Sequence, residues 1–242
     1  MAQATPYDSH LTYRQELLDV GPRFHLRTGL MRRMLRGQHG RLLDVGCGDG
    51  FFMQQLMRMG FTCAGLDVSA PMIERCRARV GEDVELYCGP IESYTPAQPF
   101  DVVACGEVLE HIEDDLGTLH HIWRLLRPGG LFVLSVPLDM RLWNEVDARA
   151  GHQRRYTKVG ILSKLQQAGF RTERYTVWGW PITRTLHFTI RRQQKSLLSA
   201  PARRRNWRLL RQLMRWGRYV FLLDNLFNWT ERGVGIVVSA RR

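Results

Sequence analysis

Lysine and paired cysteine are both scarce in this chain of 242 residues. Only Lys158, Lys164 and Lys195 are lysines among 35 basic side chains, so the cationic surface is almost all guanidinium. The five cysteines, Cys47, Cys63, Cys76, Cys88 and Cys105, never form a Cys-x-x-Cys pair, which excludes a cysteine-based zinc site. Their odd number, without a leader, reads as reduced thiols, and Cys63 and Cys105 sit in strand-like runs as small buried hydrophobes. No run approaches the ~18 apolar residues of a membrane span. The first residues, MAQATPYDSH, lack a basic start and an apolar run, so no secretory signal is expected. Internal repeats and low-complexity tracts are missing too. A cytoplasmic or membrane-surface protein is the expectation.

Acidic residues are scarce in one region only. Residues 1–140 hold 13 basic and 18 acidic side chains, whereas 141–242 hold 22 basic and 5 acidic. The net charge of +12 therefore belongs to the last two-fifths. Such asymmetry points to an anionic partner on one side of the molecule, or to a solvated basic surface from an Arg-rich genome.

What is present is a regular alternation. Residues 8–36 have a helical pattern, broken at Gly21-Pro22. Strands are expected at 41–45, 62–67, 84–88, 100–105 and 131–137, with helices at 51–59, 71–80 and 114–126 between them. That rhythm implies right-handed βαβ units and a parallel sheet covered on both faces. Residues 138–156 read as a polar loop, 157–168 as a helix, 171–178 as a strand and 233–240 as a last strand.

The first strand runs into Leu42-Leu43-Asp44-Val45-Gly46-Cys47-Gly48-Asp49-Gly50. A glycine-rich strand-to-helix turn lets the backbone approach a ligand and presents helix N-terminal amides. The acid before it, Asp44, suits a cationic ligand better than a pyrophosphate. Asp67 ends the second strand, where an acid grasps a ribose diol.

With these motifs the chain resembles the class I S-adenosylmethionine-dependent methyltransferases, the broad group that includes the ubiquinone-biosynthesis methyltransferases. Further similar segments are GLDVS at 65–69, FDVVACGEVLEHIED at 100–114, LLRPGGLFVLSVP at 125–137 and GHQRRYT at 151–157. The resemblance implies a Rossmann-like α/β fold with a late antiparallel strand, and S-adenosylmethionine as cofactor. It implies that Gly46, Cys47, Gly48 and Gly50 line the methionine and ribose part and that Asp44 lies near the sulfonium or amino group. Asp67 would hold the ribose, Val68 and Met72 would pack on the adenine, and Gly106 and Glu107 would face the reacting methyl. Many relatives carry Asp after strand three; here Ile91 and Glu92 stand in that region.

An oxygen acceptor must also lose a proton, so a base is expected close by. Glu107, Glu110 and His111 fall at i, i+3 and i+4. His111 and His152 are candidate bases and Glu107 a candidate catalytic acid. Glu107, Glu110 and His111 could instead hold a divalent metal, or Glu110 and His111 could brace the next helix. Arg155 and Tyr156 either hold the acceptor or brace the helix that follows.

Residues 179–232 carry 12 basic and 2 acidic side chains with clustered Trp. Arg208, Arg211, Arg215 and Arg218 fall on one side of a helix, and Trp207, Leu210, Leu213 and Met214 on the other. This basic helical insertion suits a lid over the site or contact with an anionic membrane through 204–230, and poorly suits nucleic acid. The expected layout is one methyltransferase domain, 1–242: an N-terminal helical segment (1–40), a cofactor-binding core (41–178), the insertion (179–232) and the last strand (233–242). The expected activity is methyl transfer to a small or lipid-linked acceptor, on oxygen. The alternatives are a metal-dependent RNA 2′-O-methyltransferase and a non-catalytic cofactor-binding scaffold at a membrane.

Overall fold

A computed structural model describes residues 22–187 and 219–242. Helix α1 spans Pro22–Met34, starting at the Gly-Pro break; the earlier part of the expected N-terminal helical segment lies outside the described residues. Then come β1 (Arg41–Val45), α2 (Phe51–Met57), β2 (Thr62–Asp67), α3 (Ala70–Val80), β3 (Glu85–Cys88) and β4 (Phe100–Gly106). They are followed by α4 (Asp115–Leu125), β5 (Leu126–Pro137), α5 (Glu145–Arg149), α6 (Lys158–Gln167), β6 (Arg171–Trp178) and β7 (Gly235–Arg241).

The seven strands form one sheet in the order β3-β2-β1-β4-β5-β7-β6. Strands β1 to β5 pair in parallel; β7 enters antiparallel between β5 and β6. Because side chains alternate along a strand, each face receives its own core. Leu43, Val45, Val103, Cys105, Phe132 and Leu134 point to one, beneath α4 and α6. Leu42, Val102, Ala104, Leu131 and Val133 point to the other, beneath α1, α2 and α3. Burial of strands on both faces is why they read as apolar runs rather than alternating ones. Phe132, fully buried, packs on Phe170 at 5.1 Å between ring centroids. Cys63 and Cys105 are buried hydrophobes, as expected.

Two segments differ from the sequence expectation. Strand β5 begins at Leu126, and its register against β4 shifts between Phe100 and Val102, so Arg127–Gly130 bulge from the ladder instead of ending a helix. Residues 138–156 are not a plain loop. They hold a 3-10 turn, Met140–Leu142, and α5, which opens on a capping box between Asn144 and Asp147.

The insertion is described at its two ends. Helical residues begin at Ile182, and Tyr219–Leu222 lead into a 3-10 segment, Leu223–Thr230. The basic amphipathic helix expected before residue 219 lies outside the described residues. The ends are tied by Asp224, which is fully buried and accepts from the Ile182 amide at 2.7 Å and the Thr183 amide at 2.9 Å. One of only two acids in a basic segment thus caps a helix 42 residues earlier.

Replacing Asp224 with Ala orphans two buried amides. Asp224→Ala is expected to lower unfolding free energy by ~2 kcal/mol, read from denaturant curves, with Asp224→Asn recovering part. Unchanged stability in the Ala variant would mean that this cap does not hold the insertion.

Candidate active site

The cofactor-type loop lies where β1 meets α2, at the carboxyl edge of the sheet. Gly46 and Gly50 have φ of 71° and 79°, a left-handed conformation that favours glycine. A Cβ on Gly46 would collide with Val108, and one on Gly50 would lie 2.7 Å from Cys76 Sγ. The Gly46 and Cys47 amides donate to the Leu66 carbonyl at 2.8 and 3.0 Å. Asp49 fixes the far end: it accepts from the Phe51 amide at 3.1 Å and pairs with Arg79 at 2.5 Å. The loop is therefore clamped against β2 and α3 before any ligand arrives.

Asp67 is buried and holds the same loop. Its Oδ2 accepts from the Gly48 amide at 3.0 Å, and its Oδ1 from the Ser69 amide at 2.9 Å. Beside it Val68 leaves 63% of its surface open, while Met72 and Ile91 are buried. An exposed apolar side chain next to a ribose-type acid fits a flat ring stacked over it. Glu92 is exposed, and Thr118 Oγ1 donates to its Oε1 at 2.6 Å. The Cys47 thiol points inward toward Gly65 and Cys76, with its pKa raised by the Cys76 hydrogen bond and by burial. Cys47 thus contributes backbone shape to the loop and no accessible sulfur.

Asp44 lies under the loop, buried, with Oδ2 lacking a hydrogen-bond partner. Burial first, then the Asp67 charge, push its carboxyl up to about 7, against a smaller pull from Arg27. A buried orphan carboxylate oxygen aimed at a glycine cradle fits a cationic group.

The second half of the site is built across the sheet edge. Glu107 follows β4 with φ of 62°; its amide donates to the Ser135 carbonyl and its Oε1 accepts from Ser135 Oγ, both at 3.0 Å. Arg27 of α1 lies 3.7 Å from its Oε2. Residues Leu109–His111 form a 3-10 turn, so Glu110 turns inward while His111 stays partly open. The Gln153 amide donates to the Glu110 carbonyl at 2.8 Å, and Gln153 Nε2 to the His111 carbonyl at 2.9 Å. That stitch brings His152 against His111, with ring centroids 4.7 Å apart and nearly perpendicular.

Glu110, His111 and His152 carry donor atoms within 4.8 Å of one another. Glu107, expected in a metal set with Glu110 and His111, turns instead to Ser135 and Arg27. Glu110 is fully buried with neither oxygen hydrogen-bonded, and desolvation and Glu107 push its carboxyl far up. His111 is driven down to about 4, by burial and then by His152, so it is neutral at pH 7. His152 Nδ1 lies 3.0 Å from Asp147 Oδ1, which leaves Nε2 toward Glu110 at 3.9 Å.

Asp147, which motif reading passed over, organises this cluster. Arg155 Nη2 donates to its Oδ1 at 2.7 Å and its Oδ2 at 3.0 Å, and the Asn144 amide to Oδ2 at 2.9 Å. Of the two roles expected for Arg155 and Tyr156, acceptor contact or brace, their partners are those of braces. The Arg155 side chain is buried on Asp147 and the Leu138 carbonyl, and Tyr156 Oη donates to Asp115 at 2.7 Å. Their polar groups face protein, because a buried guanidinium must be paired. The Asn-x-x-Asp spacing of the capping box was the available signal for Asp147.

This sheet order, with a glycine cradle and two acids at its carboxyl edge, is that of the class I S-adenosylmethionine-dependent methyltransferases. A family model described as "Methyltransferase domain" matches residues 13–175, and the chain belongs to that family. A curated ubiquinone biosynthesis O-methyltransferase of Klebsiella pneumoniae is 33% identical over 125 residues, 49% of this chain and 52% of that protein. The chain thus spans about half the length of the curated relatives it matches. Among solved structures, an S-adenosylmethionine dependent methyltransferase from Mesorhizobium loti has a TM-score of 0.60 at 22% identity, covering 93% of this chain and 100% of that one. N-methyltransferase NodS from Bradyrhizobium japonicum, solved with S-adenosyl-L-homocysteine, has a TM-score of 0.62 at 17% identity, covering 93% and 90%. At these identities the structural likeness shows the fold.

The raised Asp44 carboxyl has a thermodynamic cost. Its folded pKa lies above the unfolded 3.8, so its stabilising contribution is full in acid and is lost as pH rises through about 7. That loss is ~4 kcal/mol at most. Asp44→Asn is expected to melt ~5 °C or more above the parent at pH 8.5, and the gain should shrink at pH 5. A pH-independent difference would contradict the assignment.

Proposed function

We propose that this chain transfers the methyl group of S-adenosylmethionine to an oxygen of a hydrophobic or lipid-linked small molecule. The observation that carries this reading is the Asp147–His152 pair facing Glu110, beside the Asp44–Gly46 cradle. S-Adenosylmethionine, when bound, supplies an electrophilic methyl on a sulfonium. The chain's work is then alignment and proton removal. Gly46, Gly48 and Gly50 would take the methionine and ribose part, Asp44 the cationic end, Asp67 the ribose hydroxyls, and Val68, Met72 and Ile91 the adenine. His152 is the base: Nδ1 sits 3.0 Å from Asp147 Oδ1, and Nε2 is the nitrogen offered to an acceptor hydroxyl. His111 forms the wall opposite, and Arg27 and Ser135 hold Glu107 at the methyl end. The oxygen preference is supported by the curated relatives.

Asp44 makes cofactor binding pH-dependent. A cationic ligand requires the carboxylate, so binding should release a proton and tighten between pH 6 and pH 8. Titration calorimetry in two buffers of different ionisation enthalpy reads both effects. Asp44→Asn should weaken binding at least tenfold and remove the pH dependence. Absence of S-adenosylmethionine binding would overturn the whole reading.

A second reading is favoured by one observation, the buried Glu110 carboxylate whose orphan oxygens lie among His111 and His152 nitrogens. These three residues have the mixed oxygen and nitrogen donors of a divalent-metal site, and a metal would lower the pKa of an acceptor hydroxyl. The two readings separate once mass spectrometry of extracts incubated with labelled cofactor has found an acceptor. With His152 as base, His152→Gln should lower kcat at least ~100-fold with KM within about threefold, and a chelator should leave turnover unchanged. Chelator-sensitive turnover restored by Mg²⁺ or Mn²⁺ would replace the base with the metal.

A further inference from the structure

A cavity of about 540 Å³ lies against both ends of the 138–157 segment, at Leu138, Asp139, Tyr156 and Thr157. It shares no residue with the group Glu107, Glu110, His111 and His152. Its wall carries four cations, Arg141, Lys158, Arg184 and Arg232, against two carboxylates, Asp139 and Glu231. Both carboxylates are already neutralised. Asp139 pairs with Arg141 at 2.9 Å and Arg184 at 2.8 Å, and Glu231 with Lys158 at 2.6 Å. Arg232 lies over the Trp180 ring at 6.0 Å and has no carboxylate partner among the described residues. The wall thus keeps an excess of positive charge, next to the N-terminus of α6 at Thr157 and Lys158.

The chain that supplies Arg232 arrives from an apolar strip. Leu222, Leu223, Leu226, Phe227 and Trp229 are all exposed, Leu226 to 68% and Trp229 to 79%. Glu231, with φ of 55°, turns the chain from this strip into the cavity. Only Thr230 and Glu231 lie between Trp229 and Arg232, so their Cα atoms are at most ~11 Å apart. An anion-binding hollow and an exposed apolar ledge at that spacing match the two ends of one amphiphile. A soluble metabolite would need the hollow alone.

We infer that this cavity binds the phosphate headgroup of an anionic phospholipid, with Arg232 on the phosphate and the Leu222–Trp229 strip against the acyl chains. The surface would dock the chain on an anionic membrane. Each basic residue near such a surface adds favourable attraction that falls with salt. The inference is independent of the proposed methyl transfer, and its test needs neither cofactor nor turnover.

The test is binding of the full chain to phosphatidylglycerol vesicles, neutral phosphatidylcholine vesicles, short-chain dihexanoyl phosphatidylglycerol below its micelle concentration, and glycerol phosphate. Phosphatidylglycerol vesicles should bind at least tenfold better than neutral ones at low salt. Arg232→Glu should weaken dihexanoyl phosphatidylglycerol at least tenfold, and the milder Arg232→Gln severalfold, with circular dichroism unchanged. Arg58→Glu, an exposed reversal elsewhere, should stay within twofold. The double variant Leu226→Ser, Trp229→Ser should lose vesicle binding tenfold while keeping glycerol phosphate within twofold. Binding by Arg232→Glu equal to the parent would overturn the headgroup site. Glycerol phosphate binding as tightly as dihexanoyl phosphatidylglycerol would assign the hollow to a free phosphoester and overturn the lipid. No binding to either phosphate probe would overturn both.

Discussion

Asp147 gathers the Arg155 guanidinium, the Asn144 amide and the His152 ring around one buried carboxylate. A buried guanidinium is tolerated only when paired, and breaking such a pair costs about 3–5 kcal/mol. The segment after β5 is therefore held in one shape by a requirement that no surface contact imposes. That shape carries His152 to the turn after β4, where Gln153 bonds the Glu110 and His111 carbonyls. Residues more than 40 positions apart become one cluster because a charge had to be satisfied.

The division of charge noted in the sequence is also a division in space. Asp44, Asp67, Glu107 and Glu110 line the carboxyl edge of the sheet, in a chain whose net charge is +12. Their mutual repulsion and burial raise Asp44 and Glu110, and desolvation lowers Arg23 nearby. Glu110 and His111 shift in opposite directions, so in acid their contributions to stability partly offset: Glu110 favours the fold at low pH and neutral His111 opposes it. Asp44 and Glu110 are thus held toward the protonated form and His111 toward the neutral one. The basic excess lies elsewhere, around Arg184 and Arg232 and in the insertion.

The sheet, its late strand and the glycine cradle were legible from the residues. Strands buried on both faces leave apolar runs, and Gly46 to Gly50 have no other reason to recur beside Asp44 and Asp67. The parts that could not be read depend on tertiary pairing. Arg155 and Tyr156 have side chains suited equally to an acceptor and to a brace; only the partners Asp147 and Asp115 decide, and they lie 8 and 41 residues away. Helix α5 was missed because it is five residues long, too short for an apolar period, and is made by its cap. Glu107 was grouped with Glu110 and His111 on helical spacing, but the chain there leaves β4 through a left-handed residue into a 3-10 turn. Spacing i, i+3 does not place side chains together when the backbone between is not a helix.

A methyltransferase sheet sets where a methyl group arrives and leaves open what receives it. Under the proposed reading the receiving side is formed by residues 138–157 and the ends of the insertion. Residues 138–157 are braced by buried charge, which holds His152 in one place. The ends of the 179–232 insertion are pinned at Asp224, Arg184 and Glu231 and still expose Leu226 and Trp229 to solvent. Apolar surface left exposed beside an acceptor side is costly in a free soluble enzyme and is relieved by contact with hydrocarbon. Selectivity for a lipid-linked acceptor would then follow from location: the braced segment supplies the chemistry, and the apolar ends of the insertion decide which molecules reach it.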